Sequence, residues 1–168
     1  MEDLPTLQKL ATKISTDAVA AGQPDPLYAS YLVEVNDVGG IDVGFLVKTA
    51  LVAPSTPRVS VVSVTQERDG TLFTNPDGTT ETLNDRPPLM LRAVIHNAAG
   101  ASFPVTVIVN HLRSMGDVDS SAAGSNGWAT KGARVRAKRL AQALDLADLV
   151  QDLQVATPTE RIILVGDF

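Results

Sequence analysis

Apolar residues near the start of the chain recur at the spacing of an α-helix that buries one face. These residues are Leu4, Leu7, Leu10, Ala11, Ile14 and Ala18. Asp3 is a good N-cap, Pro5 suits the first turn, and Gly22 marks the end of the pattern. The segment is therefore predicted to form a surface helix with one buried stripe.

Short runs rich in β-branched residues follow this helix and predict successive strands. Residues 41–49 (IDVGFLVKT) and 58–64 (RVSVVSV) are two such runs, and Pro54 and Pro57 separate them. Residues 67–85 contain two Asp-Gly pairs among threonines. This composition predicts a hairpin or a loop.

The second half of the chain has the pattern strand, strand, helix, strand. Residues 87–96 and 103–111 are apolar runs with a short connection, so they are predicted to be antiparallel neighbours. The loop from Met115 to Lys131 is rich in Gly, Ser and Asp, offers few apolar anchors, and is expected to be mobile. A helical pattern runs from about Lys131 to Leu153, and residues 161–168 return to a strand pattern.

This order of elements predicts that two polar residues meet at one edge of the sheet. A strand–helix–strand crossover makes the strands that end near Asn110 and Val165 parallel, so His111 and Asp167 should lie at the same edge. Each residue alone has a simple structural interpretation, as a hydrogen-bonded strand-end histidine and as a helix N-cap. The pair combines an acid/base ring with a hard oxygen ligand, where open α/β sheets bind ligands.

Composition limits the classes of ligand that this predicted site could bind. The 168 residues, 44% of them hydrophobic, suit one domain that spans residues 1–168. The net charge of −5 argues against binding nucleic acid through bulk charge, so a phosphate-bearing partner must be held locally or through a metal. The absence of cysteine excludes disulfides and thiolate metal sites. No apolar run approaches the length of a membrane span, about 20 residues.

Several short motifs carry a family resemblance. They are VNHLRS (109–114), GDF (166–168), GGIDVGFLVK (39–48), NDRPPL (84–89) and RVRAKRLAQA (134–143). Together they resemble the endonuclease/exonuclease/phosphatase superfamily, the group of deoxyribonuclease I and abasic-site endonucleases, and its bacterial nuclease-like branch. The resemblance covers nearly the whole chain. It implies an α/β (α+β) fold, the deoxyribonuclease I-like four-layer α/β/β/α sandwich, in an incomplete form.

The resemblance also implies that the chain is an internal fragment of such a domain, without its N-terminal strands and its C-terminal part. MEDL is similar to the end of the family's metal-binding stretch, so Glu2 matches its second Glu and the metal ligand would precede Met1. The family's Asn after GDF and its terminal Asp-His pair would follow Phe168. The fragment alone is therefore expected to be close to inactive.

The activity that the resemblance implies is Mg²⁺-dependent hydrolysis of a phosphate ester, with Mn²⁺ or Ca²⁺ as alternative ions. Asp167 matches the aspartate that positions the nucleophile or the metal-bound water, and it is the expected metal ligand. His111 matches a histidine that contacts the scissile phosphate or donates a proton. Four further residues are expected to bind substrate phosphates: Asn110, Arg113, Arg86 and Arg136.

These secondary residues also have structural interpretations. A surface ion pair explains Arg86 or Arg113 as well as a phosphate contact does. The basic residues between Lys131 and Arg139 oppose the helix dipole, which hints at phosphate contact, but a solvated basic face is slightly favoured. Trp128 would stack on a base or, as we favour, cover apolar surface.

Two classes of function remain open. One is a metal-dependent phosphodiesterase, with an endonuclease acting on nucleic acid favoured and a lipid phosphodiesterase or phosphatase of the same superfamily as the alternative. The other is a non-catalytic module that keeps the fold for binding. A monomer without membrane association is expected. The resemblance favours a secreted or cell-surface protein, although the sequence itself leaves the compartment open.

Overall fold

The computed structural model describes residues 3–35 and 39–168, and the chain is mixed α/β. The expected match of Glu2 to a metal-binding stretch lies outside the described residues. In chain order the elements are α1 (Leu4–Ala20), β1 (Tyr28–Leu32), β2 (Gly44–Lys48), β3 (Leu51–Ala53), β4 (Thr56–Pro57), β5 (Val59–Gln66), β6 (Leu72–Thr74), β7 (Thr80–Thr82), β8 (Leu89–His96), β9 (Ser102–His111), α2 (Lys131–Ala156) and β10 (Ile162–Asp167).

The central sheet has four strands in the order β10-β9-β8-β5. Strand β9 is antiparallel to β8, and β8 to β5, whereas β10 is parallel to β9. The antiparallel pair β8–β9 and the crossover through α2 are therefore confirmed. Of the two alternatives for residues 67–85, a hairpin or a loop, the structure contains the hairpin, as the antiparallel pair β6–β7.

Alternation along β8 and β9 gives the sheet two apolar faces. One face packs against the β1–β2 ribbon, and the other packs against α2. The first cluster contains Val47, Leu91, Ala93 and Val105, and the second contains Met90, Ile108, Leu146 and Leu149. The middle of the sheet is therefore covered by a two-stranded ribbon on one face and a long helix on the other, whereas the edge strand β10 leaves Ile163, Leu164 and Val165 exposed.

Helix α1 begins at the predicted cap and lies on the outer side of the ribbon. The Asp3 carboxylate accepts a hydrogen bond from the Thr6 N–H at 2.7 Å, which satisfies one of the free donors of the first turn. Gly44 allows close packing, because a side chain there would meet the Tyr31 carbonyl oxygen at 2.8 Å and the Leu7 Cδ2 at 3.0 Å. Within the described part of the chain, neither helix is long and apolar enough to cross a bilayer.

Helix α2 carries a lysine into the interior. Lys138 is only 1% exposed, and its Nζ lies 2.9 Å from Asp85 Oδ1 and 3.6 Å from Glu81 Oε2. Arg134 donates to both carboxylate oxygens of Glu81, at 2.5 and 2.6 Å. The prediction of a solvated basic face is therefore wrong for Arg134 and Lys138, because their charges are paired with the segment that precedes β8.

The polar loop between β9 and α2 has an apolar anchor that its composition concealed. The Trp128 ring stacks on Phe73 with centroids 6.0 Å apart, and its Nε1 donates to Asn75 Oδ1 at 2.8 Å. The favoured interpretation of Trp128, that it covers apolar surface, is confirmed. The expectation of few apolar anchors is wrong at this position, while the mobility of the loop stays a prediction.

Two parts of the strand pattern differ from the expectation. The run at residues 41–49 forms a strand only from Gly44 to Lys48. Strand β1, with the sequence YASYL, and the short pair β3–β4 were not predicted. The β1 segment contains Ala and Ser at positions where a β-branched residue would have indicated a strand.

Breaking the Lys138 ion pair should destabilise the fold. The variant Lys138→Met leaves the partly buried carboxylates Asp85 and Glu81 with only Arg113 and Arg134 as cationic partners. The free energy of unfolding should therefore fall by about 3 kcal/mol, the lower end for a broken buried pair, because both carboxylates keep these partners and some solvent access. Urea unfolding followed by circular dichroism measures this. The matched control Lys131→Met, at an exposed position of the same helix, should stay within about 0.5 kcal/mol. Equal effects of the two substitutions would contradict the prediction.

Candidate active site

The carboxyl ends of β9 and β10 bring the two predicted site residues together. In the parallel register Asp167 lies opposite His111, and Gly166 lies opposite Asn110. His111 Nε2 lies 3.6 Å from Asp167 Oδ2, and the two side chains are 21% and 75% exposed. The expected close approach of these residues is confirmed. An imidazole and a carboxylate therefore share one solvent-accessible edge of the sheet, on the face directed toward the β1–β2 ribbon.

Gly166 allows the two strand ends to approach this closely. Its φ angle is +135°, and a Cβ atom at this position would lie 1.9 Å from the carbonyl oxygen of Asn110. Glycine alone combines this backbone angle with the absence of a side chain. The residue before Asp167 is thus a structural requirement of the site, and sequence reasoning had treated it only as part of a motif.

Asn110 ties β9 to β10 from the opposite face of the sheet. It is 2% exposed, and its Nδ2 donates to the carbonyl oxygen of Val165 at 2.8 Å. Its Oδ1 is buried and has no hydrogen-bond partner among the described residues. Asn110 therefore braces the strand end that carries Asp167, and its predicted contact with phosphate stays a prediction.

The three arginines predicted to bind phosphate occupy different environments. Arg86 is buried and donates from Nη2 to the Leu112 carbonyl oxygen at 3.1 Å, directly after His111. Its Nε is buried without a hydrogen-bond partner in the described part of the chain. Arg113 forms an ion pair with Asp85 at 3.4 Å, and Arg136 donates to the carbonyl of Val118 in the loop. Arg86 is thus tied to the backbone that continues from His111, whereas these contacts direct Arg113 to Asp85 and Arg136 to the loop.

The cations Arg134 and Lys138 lower the pKa of the Glu81 carboxyl group. Partial burial alone would raise the pKa of Glu81. The hydrogen bond from Arg134 and the charge of Lys138 outweigh this effect, so the pKa of Glu81 lies below its ordinary value of 4.5. Glu81 therefore stays ionised and continues to hold both cations in mildly acidic solution.

Asp167 fits a divalent cation as one ligand. Mg²⁺ usually takes one or two protein carboxylates and completes its shell with water and substrate oxygens, and an exposed carboxylate suits that arrangement. Within residues 3–35 and 39–168, no three His, Asp or Glu side chains come together as a metal-binding group. Among the described residues, the strand ends thus offer Asp167 as a single exposed carboxylate beside the His111 imidazole.

No protein-family model, curated protein or solved structure matches this chain. The superfamily assignment therefore stays a prediction, carried by the motifs in the sequence.

Two buried polar residues of α2 were missed although the sequence contained a signal for them. Lys138 and Gln142 are 1% and 2% exposed, and they occupy the same helical stripe as Leu146 and Leu149. Polar side chains at i and i+4 that continue an apolar stripe are buried together with it. Lys138 was instead interpreted as part of a basic helix start, and Gln142 was not singled out.

Adding a side chain at residue 166 should disrupt the site. Gly166→Ala places a Cβ against the Asn110 carbonyl and keeps a φ angle that alanine disfavours, so the free energy of unfolding should fall by about 3 kcal/mol or more. Thermal and urea unfolding measure the change. Gly70→Ala is the matched control, because open space surrounds Gly70, and it should be nearly neutral. A Gly166→Ala protein as stable as the control would contradict the close approach.

The lowered pKa of Glu81 predicts a pH-dependent contribution to stability. Because its folded-state pKa lies below 4.5, Glu81 stabilises the fold above that pH, and the contribution is lost as pH falls through the lowered pKa. Glu81→Gln should therefore be less stable than the wild type at about pH 7, and the difference should shrink below pH 4.5. Urea unfolding at a series of pH values measures this. The exposed-site control Glu34→Gln should have little effect. A difference that stays constant across the series would disprove the assignment.

Proposed function

We propose that this chain belongs to a metal-dependent phosphoester hydrolase that acts on nucleic acid as an endonuclease. The observation that carries the proposal is the approach of His111 Nε2 to within 3.6 Å of Asp167 Oδ2 at the adjacent carboxyl ends of parallel strands. The order helix, ribbon, sheet, helix supports the finer proposal that the fold is the deoxyribonuclease I-like α/β/β/α sandwich.

In the proposed mechanism His111 is the proton-transferring group. Its Nε2 faces the Asp167 carboxylate, and an imidazole in that position holds or gives a proton at a phosphate oxygen near neutral pH. Asp167 orients the attacking water or provides an oxygen ligand to Mg²⁺. The metal would neutralise charge on the phosphoryl oxygens.

In this proposal the substrate is recognised by a few contacts near the strand ends, and not by the overall charge of the protein. The chain has a net charge of −5, and two cations of α2, Arg134 and Lys138, are paired with carboxylates. Arg86 is the candidate best placed to support the site, because its Nη2 donates to the backbone carbonyl of Leu112, directly after His111.

The first test of the proposal asks whether a divalent cation binds at the strand ends. Mn²⁺ serves as a paramagnetic substitute for Mg²⁺ in NMR titrations of the 168-residue chain. The signals of His111 should broaden before those of His96, which pairs with Ser102 at the other end of the sheet. Asp167→Asn should weaken binding by about tenfold or more. The matched control Asp148→Asn, at an exposed position of α2, should leave binding unchanged. Equal broadening of both histidines would count against the site.

The second test measures hydrolysis by the full-length protein that carries this chain. His111→Ala and Asp167→Ala should each lower Mg²⁺-dependent plasmid cleavage by about 10² to 10⁴-fold. His96→Ala is the matched histidine control and should retain activity. Full activity in both site variants would refute the assignment. Cleavage of sphingomyelin or inositol phosphates in place of DNA would move the function to the sibling classes, and binding without cleavage would indicate a non-catalytic module.

A further inference from the structure

The chain is clamped immediately after His111. All four backbone polar groups of Leu112 and Arg113 are engaged by partners elsewhere in the chain. Leu112 N–H donates to the Asp167 carbonyl at 3.0 Å, the Leu112 carbonyl accepts from Arg86 at 3.1 Å, Arg113 N–H donates to Gln142 Oε1 at 2.8 Å, and the Arg113 carbonyl accepts from Arg139. Partly buried segments that leave a sheet, like this one, gain from such partners because they no longer have a neighbouring strand.

Gln142 is the most deeply buried member of this clamp. It is 2% exposed and uses both ends of its amide, accepting from Arg113 at Oε1 and donating from Nε2 to the Leu83 carbonyl at 3.0 Å. A buried amide whose donor and acceptor are both engaged has one preferred orientation. Gln142 therefore fixes the distance between the segment after β9 and the segment before β8.

The neighbouring turn of α2 makes this clamp rigid. Lys138 lies one turn before Gln142 and is paired with Asp85, and Asp85 also pairs with the Arg113 side chain at 3.4 Å. The side chain and both backbone groups of Arg113 are thus engaged. These contacts assign Arg113 a structural part in the clamp and leave its predicted phosphate contact without support from the geometry.

We propose that Gln142 is a positioning residue for His111. By holding Arg113, it fixes the path of the backbone that leaves β9, and so it keeps the His111 imidazole directed at Asp167. The catalytic meaning of this role rests on the function proposed above, whereas the positioning itself is a property of the fold.

The test replaces Gln142 with methionine, which has similar length but lacks the amide. The Arg113 amide should then exchange with solvent about tenfold faster or more, as expected for the loss of its acceptor. The His111 ring signals should shift in NMR spectra. The chain has only two histidines, so His96 serves as an internal reference that should not move. The matched control Gln151→Met, at an exposed position of the same helix, should change neither signal.

Two further variants keep the test decisive. Gln142→Glu keeps the acceptor for Arg113 while losing the donor to Leu83, so it should return the His111 signals toward their wild-type positions. Arg139→Met removes the partner of the Arg113 carbonyl from a half-buried position, and it should shift the His111 signals even if the Gln142 variants do not fold. Unmoved His111 signals in folded variants whose Arg113 amide exchanges rapidly would overturn the proposal.

These measurements separate the two proposals. The exchange rate and the ring signals need neither metal nor substrate. If they change as expected while the wild type fails to bind Mn²⁺ at the strand ends, the positioning role stands and the proposed hydrolase function fails. If Mn²⁺ binds and the His111 ring signals keep their wild-type positions in every clamp variant, the positioning role fails and the proposed function stands.

Discussion

The buried charge of Lys138 is the constraint on which the arrangement of this molecule depends. An ammonium group that is 1% exposed costs several kcal/mol unless it is paired, so α2 can pack on the sheet only where Asp85 and Glu81 meet it. Glu81 lies in β7, and Asp85 lies in the segment that connects β7 to β8. Pairing them with α2 fixes that segment, and Arg86, the next residue along the chain, is thereby brought to the backbone that continues from His111.

At the carboxyl ends of β9 and β10, the two faces of the sheet carry side chains in different environments. The face toward α2 carries Asn110, which is buried and braces the end of β10. The opposite face carries His111 and Asp167, whose side chains keep access to solvent. This division follows from the period of two along each strand, since adjacent residues point to opposite sides. The close approach at Gly166 specifies the register as well as the spacing, because a one-residue slip of β10 against β9 would turn Asp167 to the face that carries Asn110 and would put a residue with a side chain in the place of Gly166.

The topology around the site was predictable from the sequence, whereas the supporting contacts were not. Strong apolar runs and a helical pattern between them indicated β8, β9, α2 and β10, and the parallel direction that a crossover imposes on β9 and β10 placed His111 beside Asp167. Charge pairing is different, because it depends on which distant segment meets a helix face. Lys138 was interpreted as a surface residue since its partner Asp85 is far away in sequence. Trp128 and Phe73 likewise meet only through the tertiary fold.

The same pairing changes how a phosphate-bearing ligand would be recognised. The basic helix start suggests an electrostatic surface, but Arg134 and Lys138 are paired with carboxylates, and Arg139 holds a backbone carbonyl. These three cations therefore bind groups of the protein itself. The net charge of −5 likewise gives the chain no general attraction for phosphates. Non-specific attraction to nucleic acid grows with the number of free cations that neutralise phosphates. If the proposed hydrolase function holds, affinity must therefore come from a few directed contacts at the strand ends, and catalysis depends on how rigidly the clamp around Arg113 holds His111.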